Sequence, residues 1–96
     1  MTIDEILKIL KFRLGISTPI RDEYLTAIIR GLIDELERVH GIAPEINGAI
    51  PIDMAMFLVD YAEFRYSSKG EGGGMPEHLM FRLKNLFVSR RRKNEG

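Results

Sequence analysis

The sequence MAMFLV at residues 54–59, continued by DYAEFRY at 60–66, decides the fold. A surface helix carries one apolar stripe, whereas a helix that is apolar on nearly every side lies inside a domain. The stretch therefore predicts a central, buried helix from about Pro51 to Tyr66. Asp60 falls off the apolar face that Phe57 and Tyr61 continue, so we expect its carboxylate to point away from the core.

A second long helix is predicted upstream of the buried one, and we expect the two to form a central pair. Thr18 is expected to cap it, and Pro19 suits its first position, where a missing N–H costs nothing. Its apolar stripe has helical spacing and comprises Leu25, Ile28, Ile29, Leu32, Leu36 and Val39. Gly41 ends it. Gly31, in the middle, marks either a close approach by another helix or a tolerated glycine.

Two further helices flank this pair. At the N-terminal end, Thr2 and Glu5 form a capping-box pattern, an apolar stripe runs from Ile3 to Leu14, and Gly15 stops the helix. At the other end, Pro76 opens a helix with an apolar stripe. That stripe comprises Leu79, Leu83, Leu86 and Phe87. The sequence thus predicts an all-α, four-helix bundle-like single domain.

The connections and the chain end complete this organisation. The loop at 41–51 contains Asn47-Gly48, which favours a tiny hairpin, but the flanking prolines favour a plain loop. A glycine cluster before the last helix predicts a flexible loop. Its glycines are Gly70, Gly72, Gly73 and Gly74. We divide the chain into a helical domain, 1–88, and a basic tail at 89–96 that we expect to be disordered.

Composition excludes several classes of protein. The chain has 96 residues, which is one domain, and no cysteine, which excludes a disulfide scaffold and a thiolate zinc site. No apolar run approaches the length of a membrane span, and the first residues do not have the pattern of a signal peptide. The formal net charge of zero is an average of two unlike parts: residues 1–60 carry −4 and residues 61–96 carry +4.

Catalytic chemistry is poorly represented. The two histidines, His40 and His78, each stand alone near a helix end, and no nucleophile, metal or phosphate-binding motif occurs. The acidic residues of the second and third helices are expected to lie on solvated faces. These are Asp34, Glu35, Glu37, Asp53, Asp60 and Glu63. We therefore expect a protein that is not an enzyme and that has no metal or cofactor.

Binding is the better expectation. The run Arg90-Arg91-Arg92-Lys93 is either a solubilising tail, a contact to nucleic acid, or a contact to an acidic protein surface. The charge split permits head-to-tail contact between identical subunits, with one subunit's tail on its neighbour's acidic second helix. The candidate subunit interface comprises Asp34, Glu35, Glu37, Phe64, Arg65 and Tyr66.

Three runs of the sequence together resemble a known family. They are Asp22-Glu23-Tyr24-Leu25 in the second helix, Leu58-Val59-Asp60-Tyr61-Ala62 with Arg65-Tyr66 in the third, and Met75-Pro76-Glu77 with Leu79, Arg82-Leu83 and Leu86-Phe87 in the fourth. In this order, over roughly residues 3–88, the chain resembles the small head–tail connector proteins of tailed bacteriophages and prophages.

The resemblance implies a non-enzymatic subunit of the virion. Such proteins form a ring beneath the portal protein, dodecameric there and monomeric when isolated, which extends the DNA channel and helps retain the packaged genome. The ring also docks a tail-side stopper or adaptor protein, and non-specific contact with DNA in the channel is expected. The location would be the head–tail interface of the virion, and the bacterial host cytoplasm during assembly. The alternative is a small helical DNA-binding or regulatory protein that uses the basic tail, and a generic helical adaptor also stays open.

Overall fold

The computed structural model describes residues 1–68 and 74–95, with side chains as far as Val88. It contains four α-helices and one short 3-10 helix within these ranges. They are α1 (Ile3–Leu14), the 3-10 helix (Pro19–Arg21), α2 (Asp22–Arg38), α3 (Ile52–Ser68) and α4 (Glu77–Glu95). The described residues form no strand, so the predicted all-α, bundle-like domain is confirmed.

Helix α3 is the centre of the domain, as its sequence predicts. It packs against α1, α2 and α4, whereas α4 packs on α3 alone among the described helices. Seven of its side chains are buried, more than in any other described helix: Met54, Ala55, Phe57, Leu58, Val59, Tyr61 and Ala62. Because α3 is buried on several sides, its partly exposed polar residues lie at the seams between helices.

The ends of α1 follow from local chemistry. The Thr2 hydroxyl accepts from the Glu5 backbone N–H at 3.2 Å, and the Glu5 carboxylate accepts from the Thr2 N–H at 2.9 Å. These hydrogen bonds, first the one from the Thr2 backbone, hold the pKa of Glu5 below its ordinary value. At the other end, Gly15 adopts a left-handed conformation (φ 72°) that only glycine takes readily. Both predicted signals of α1 are confirmed.

The predicted start of α2 is wrong by a few residues. Pro19 opens the 3-10 helix instead, α2 begins at Asp22, and the Thr18 side chain makes no capping hydrogen bond. A proline fixes its own φ but does not decide whether the following turn is α or 3-10. Gly31 is exposed, and a Cβ there would meet no atom within 4 Å. It is therefore a tolerated glycine and not a close approach by another helix.

The loop between α2 and α3 is a plain loop that contains one tight turn. Asn47 and Gly48 both have positive φ, and the Ile46 and Ala49 backbones exchange hydrogen bonds of 2.7 and 3.1 Å. This single bridge is all that forms of the hairpin. The Ile50 N–H donates to the Met1 carbonyl at 2.9 Å, which holds the loop against the start of α1.

The remaining predictions concern the glycine loop and the basic tail. Gly70, Gly72 and Gly73 lie outside the described residues, and Gly74 is exposed at their edge. The backbone of α4 extends to Glu95, across the domain boundary predicted after residue 88. The side chains of Arg90, Arg91, Arg92 and Lys93 lie outside the described part. Residues 89–95 thus continue the helix where we expected disorder, and the contacts of the tail stay predictions.

Candidate functional site

A polar cluster joins α2 to α3 at the centre of the bundle. The Tyr61 hydroxyl donates to Glu35 Oε2 at 2.5 Å and accepts from Arg65 Nη2 at 2.9 Å. Arg65 Nη2 also lies 3.4 Å from Glu35 Oε1, and its guanidinium stands 5.2 Å from the centre of the Tyr61 ring. Each member therefore finds its partner within the same chain.

Burial sets the chemistry of this cluster. Removal of Tyr61 from water, and then its hydrogen bond to the Glu35 carboxylate, raise the pKa of the phenol above its ordinary value. Tyr61 thus stays neutral and keeps its proton as a hydrogen-bond donor. The arrangement fastens two helices together and presents no reactive group.

Asp60 is a second polar junction, between three helices. Its two carboxylate oxygens accept separately from Arg13 of α1 and from Arg82 of α4. The Asp60 side chain is only 23% exposed, and the Arg82 guanidinium also lies 5.8 Å from the ring centre of the buried Phe57. Asp60 therefore ties α4 to the rest of the bundle, and the prediction that it points away into solvent is wrong.

One end of the molecule carries an exposed apolar ridge. Lys11 and Asp22 pair at 2.7 Å, which places the end of α1 beside the start of α2. There Ile20 is 85% exposed and Tyr24 is 58% exposed, with the exposed Glu23 beside them on the helix surface. We call Ile20, Glu23 and Tyr24 the ridge.

Tyr66 supports this ridge from below. Its hydroxyl accepts from Arg21, whose guanidinium lies 5.9 Å from the Tyr66 ring centre, and its ring lies 6.1 Å from the Tyr24 ring in a tilted arrangement. Aromatic pairs in such tilted arrangements contribute about 0.5–1.5 kcal/mol beyond the area that they bury. The Tyr24 side chain of the ridge is therefore held against α3.

A groove lies beside α4, where α2 gives way to the following loop. It has a volume of about 370 Å³, and its walls are mostly apolar. It is lined by His40, Ile42, Met80, Leu83, Lys84, Phe87 and Val88. The residues that α4 contributes are three and four positions apart, so they form one helical stripe. Val88 is still 51% exposed, so the groove is open to solvent.

The structure distributes the predicted interface residues over different surroundings. Glu35 and Arg65 meet in the central cluster, so the prediction of a solvated face is wrong for Glu35. Asp34 is exposed and pairs with Arg38 at 3.4 Å, as its spacing predicts, and Glu37 is exposed. Phe64 is half-buried against the core, and Tyr66 lies under the ridge. Their role in a subunit contact stays a prediction.

Sequence reasoning missed the groove and the Asp60 junction. One signal for the groove was available: Met80, Lys84, Phe87 and Val88 continue a stripe beside the core-facing leucines of α4. The opposite wall, formed by His40 and Ile42, depends on the path of the loop, which no local pattern gives. For Asp60 the missing information was which helices would carry arginines to it.

Metal sites and membrane spans were also sought among the described residues. They contain no group of three or more His, Asp or Glu side chains placed to hold a metal ion. None of the described helices has the length and apolar character needed to span a membrane. Comparison with protein-family models, with curated proteins and with solved structures finds no match. The likeness to head–tail connectors therefore stays a prediction from the sequence.

Proposed function

We propose that the protein is a structural subunit of the head–tail connector of a tailed phage or prophage. In this role it binds the portal protein, forms a ring that extends the DNA channel, and docks a tail-side stopper or adaptor. The function is mechanical, so the chain's residues serve to contact neighbours rather than to catalyse a reaction.

The observation that carries the proposal is the pair of exposed apolar surfaces on so small a domain. A chain of 96 residues buries a modest core and is only marginally stable. Large apolar side chains such as Ile, Tyr and Val that stay exposed to solvent add nothing to that core. Large side chains left in water beside charged ones are typical of surfaces that bind other proteins. The ridge and the groove beside α4 both have this character.

The position of α4 supports the same role. It is attached to the bundle through α3, the Leu79 and Leu83 side chains and the Arg82–Asp60 pair, and Phe81 on it is 67% exposed. A helix held on one side and exposed on the other can contact a neighbouring subunit without disturbing the core. The basic run at its end adds positive charge for an acidic surface or for DNA in the channel.

The test uses the portal protein encoded in the same phage genome region. The purified protein is mixed with portal assemblies, and the mixture is examined by electron microscopy. A coaxial ring of extra density below the portal supports the proposal, and its absence at saturating protein contradicts it. A gene position between capsid and tail genes is an independent check.

The alternative, a DNA-binding regulator, predicts a different measurement. A titration with duplex DNA across salt concentrations would give sub-micromolar binding with sequence preference for a regulator. The connector proposal predicts weak binding that falls steeply with salt and has no sequence preference.

A further inference from the structure

We infer that the groove beside α4 binds the ridge of a second copy of this chain, in a head-to-tail contact. The occupant is specific: Ile20 and Tyr24 of one subunit enter the groove of the next, and Glu23 pairs there with Lys84. The contact can be tested on the isolated chain by trapping, which captures contacts too weak to keep a free ring assembled. If the protein is a connector subunit, as proposed, these are the surfaces by which neighbouring subunits meet in the ring.

Geometry prevents one molecule from satisfying both surfaces itself. The ridge stands at the start of α2, and the groove is walled by His40 and Ile42, just past the end of α2. A helix of 17 residues is about 25 Å long, so the two surfaces are separated by roughly that distance. A contact between unlike surfaces leaves one ridge and one groove free at the ends of every pair, so further copies can add, and a ring forms where the rotation between neighbours closes.

The two surfaces complement each other in polarity. Ile20 is exposed in the 3-10 helix just before α2, and Glu23 and Tyr24 are exposed in the first turn of α2. An apolar pair and an acidic neighbour therefore stand together at the start of α2. The groove offers the apolar Met80 and Val88 with a basic neighbour.

Charge completes the match. Neither Glu23 nor Lys84 has an ion-pair partner among the residues whose side chains are described. The nearby acidic Asp22 is already paired with Lys11, and Arg21 is held by Tyr66. Glu23 is therefore the acidic group that the ridge can offer to a basic partner.

The same charges oppose the two symmetric pairings. Groove against groove would bring two Lys84 ammonium groups together, and ridge against ridge would bring two Glu23 carboxylates together. Like charges placed opposite each other disfavour an interface and select against the wrong partner. The ridge-to-groove contact pairs opposite charges.

The absence of cysteine in the chain allows a direct test by disulfide trapping. One preparation carries Ile20→Cys and the other carries Val88→Cys, both at exposed positions. They are oxidised separately and as a mixture at the highest soluble concentration, with Lys8→Cys on the exposed face of α1 as the control. We expect the mixed ridge-to-groove dimer to exceed both like pairs and every pairing with the control. A predominance of groove–groove or ridge–ridge dimers, or a mixed yield no higher than the control, overturns the inference.

Charge exchange separates a specific contact from random collision. Glu23→Lys in the ridge preparation should lower the mixed yield roughly two- to fivefold, as for the loss of a surface ion pair, and so should Lys84→Glu in the groove preparation. Combining the two variants should restore the yield. If the combination is no better than either single change, the proposed pairing of Glu23 with Lys84 is wrong.

The outcome is separable from the proposed function. If a ring forms on the portal but is unaffected by Glu23→Lys and by Lys84→Glu, the connector proposal stands and this contact is wrong. If trapping succeeds but no ring forms on the portal, the contact stands and the connector proposal is wrong.

Discussion

Replacing Asp60 by Asn should loosen α4 from the bundle. Asn has almost the same shape as Asp but no charge, so the change leaves Arg13 and Arg82 facing each other without the carboxylate that joins them. An exposed ion pair contributes about 0.2–1 kcal/mol, whereas breaking a fully buried one costs about 3–5 kcal/mol. The Asp60 side chain is 23% exposed and its partners are 34% and 40% exposed, so the pairs lie between these limits.

We expect Asp60→Asn to lower the free energy of unfolding by about 1–2 kcal/mol. In a domain of this size each kcal/mol shifts Tm by roughly 4–8 °C. Urea unfolding gives the free energy, and hydrogen exchange locates the loss, which should be largest in the backbone amides of α4. Asp34→Asn is the matched control: its pair with Arg38 is exposed on both sides, so the change should cost no more than about 0.5 kcal/mol.

Two results would refute this reasoning. If Asp60→Asn costs no more than Asp34→Asn, the Asp60 junction does not hold the helices together. If the cost is large but the amides of α4 keep their protection, Asp60 stabilises α1 against α3 and not α4. Arg82→Met then serves as a check, since it removes the α4 partner and leaves the Arg13 pair in place.

Three further predictions concern the central cluster, two glycines and the tail. Tyr61→Phe should cost about 1.5–3 kcal/mol in urea unfolding, because the lost hydroxyl bonds two charged groups, whereas the exposed Tyr24→Phe should cost almost nothing. The fold raises the pKa of Tyr61, so this side chain contributes fully to the free energy of unfolding below pH 10. The contribution is lost as the pH rises through the folded-state pKa. The Tyr61→Phe variant should not show this loss. Gly15→Ala should lower the free energy of unfolding, followed by thermal denaturation, by about 1 kcal/mol, because Gly15 has a left-handed backbone conformation. Gly31→Ala should raise it by up to about 1 kcal/mol, because Gly31 lies in the open middle of α2. Deletion of residues 89–96 should leave the fold of residues 1–88 intact, with circular dichroism losing only the helical signal of residues 89–95. It should weaken ring assembly or DNA retention, and normal assembly with normal retention would contradict a role for the tail.

The four helices could be predicted from the sequence because each is marked by signals between residues close in the chain. These signals are the capping pair Thr2 and Glu5, the stop at Gly15 and the uniformly apolar MAMFLV run. Each acts through interactions within one or two helical turns. The start of α2 was misplaced because Pro19 is compatible with both kinds of turn. Local signals therefore set element type more firmly than element boundaries.

The candidate surfaces could be predicted only in part. A helical wheel shows that Glu35 and Asp60 leave the apolar stripe, but it does not show that Tyr61 or Arg82 will arrive beside them from another helix. The groove likewise requires the loop that follows α2 to pass next to α4. These features depend on contacts between residues distant in the sequence, which a one-helix pattern does not contain.

The most direct test of the connector proposal is electron microscopy of the full chain mixed with the portal protein of the phage or prophage that carries its gene. We expect a closed ring of this chain, coaxial with the portal and continuous with its channel. A portal that stays bare at saturating protein, with the chain bound instead to a specific DNA sequence, would contradict it.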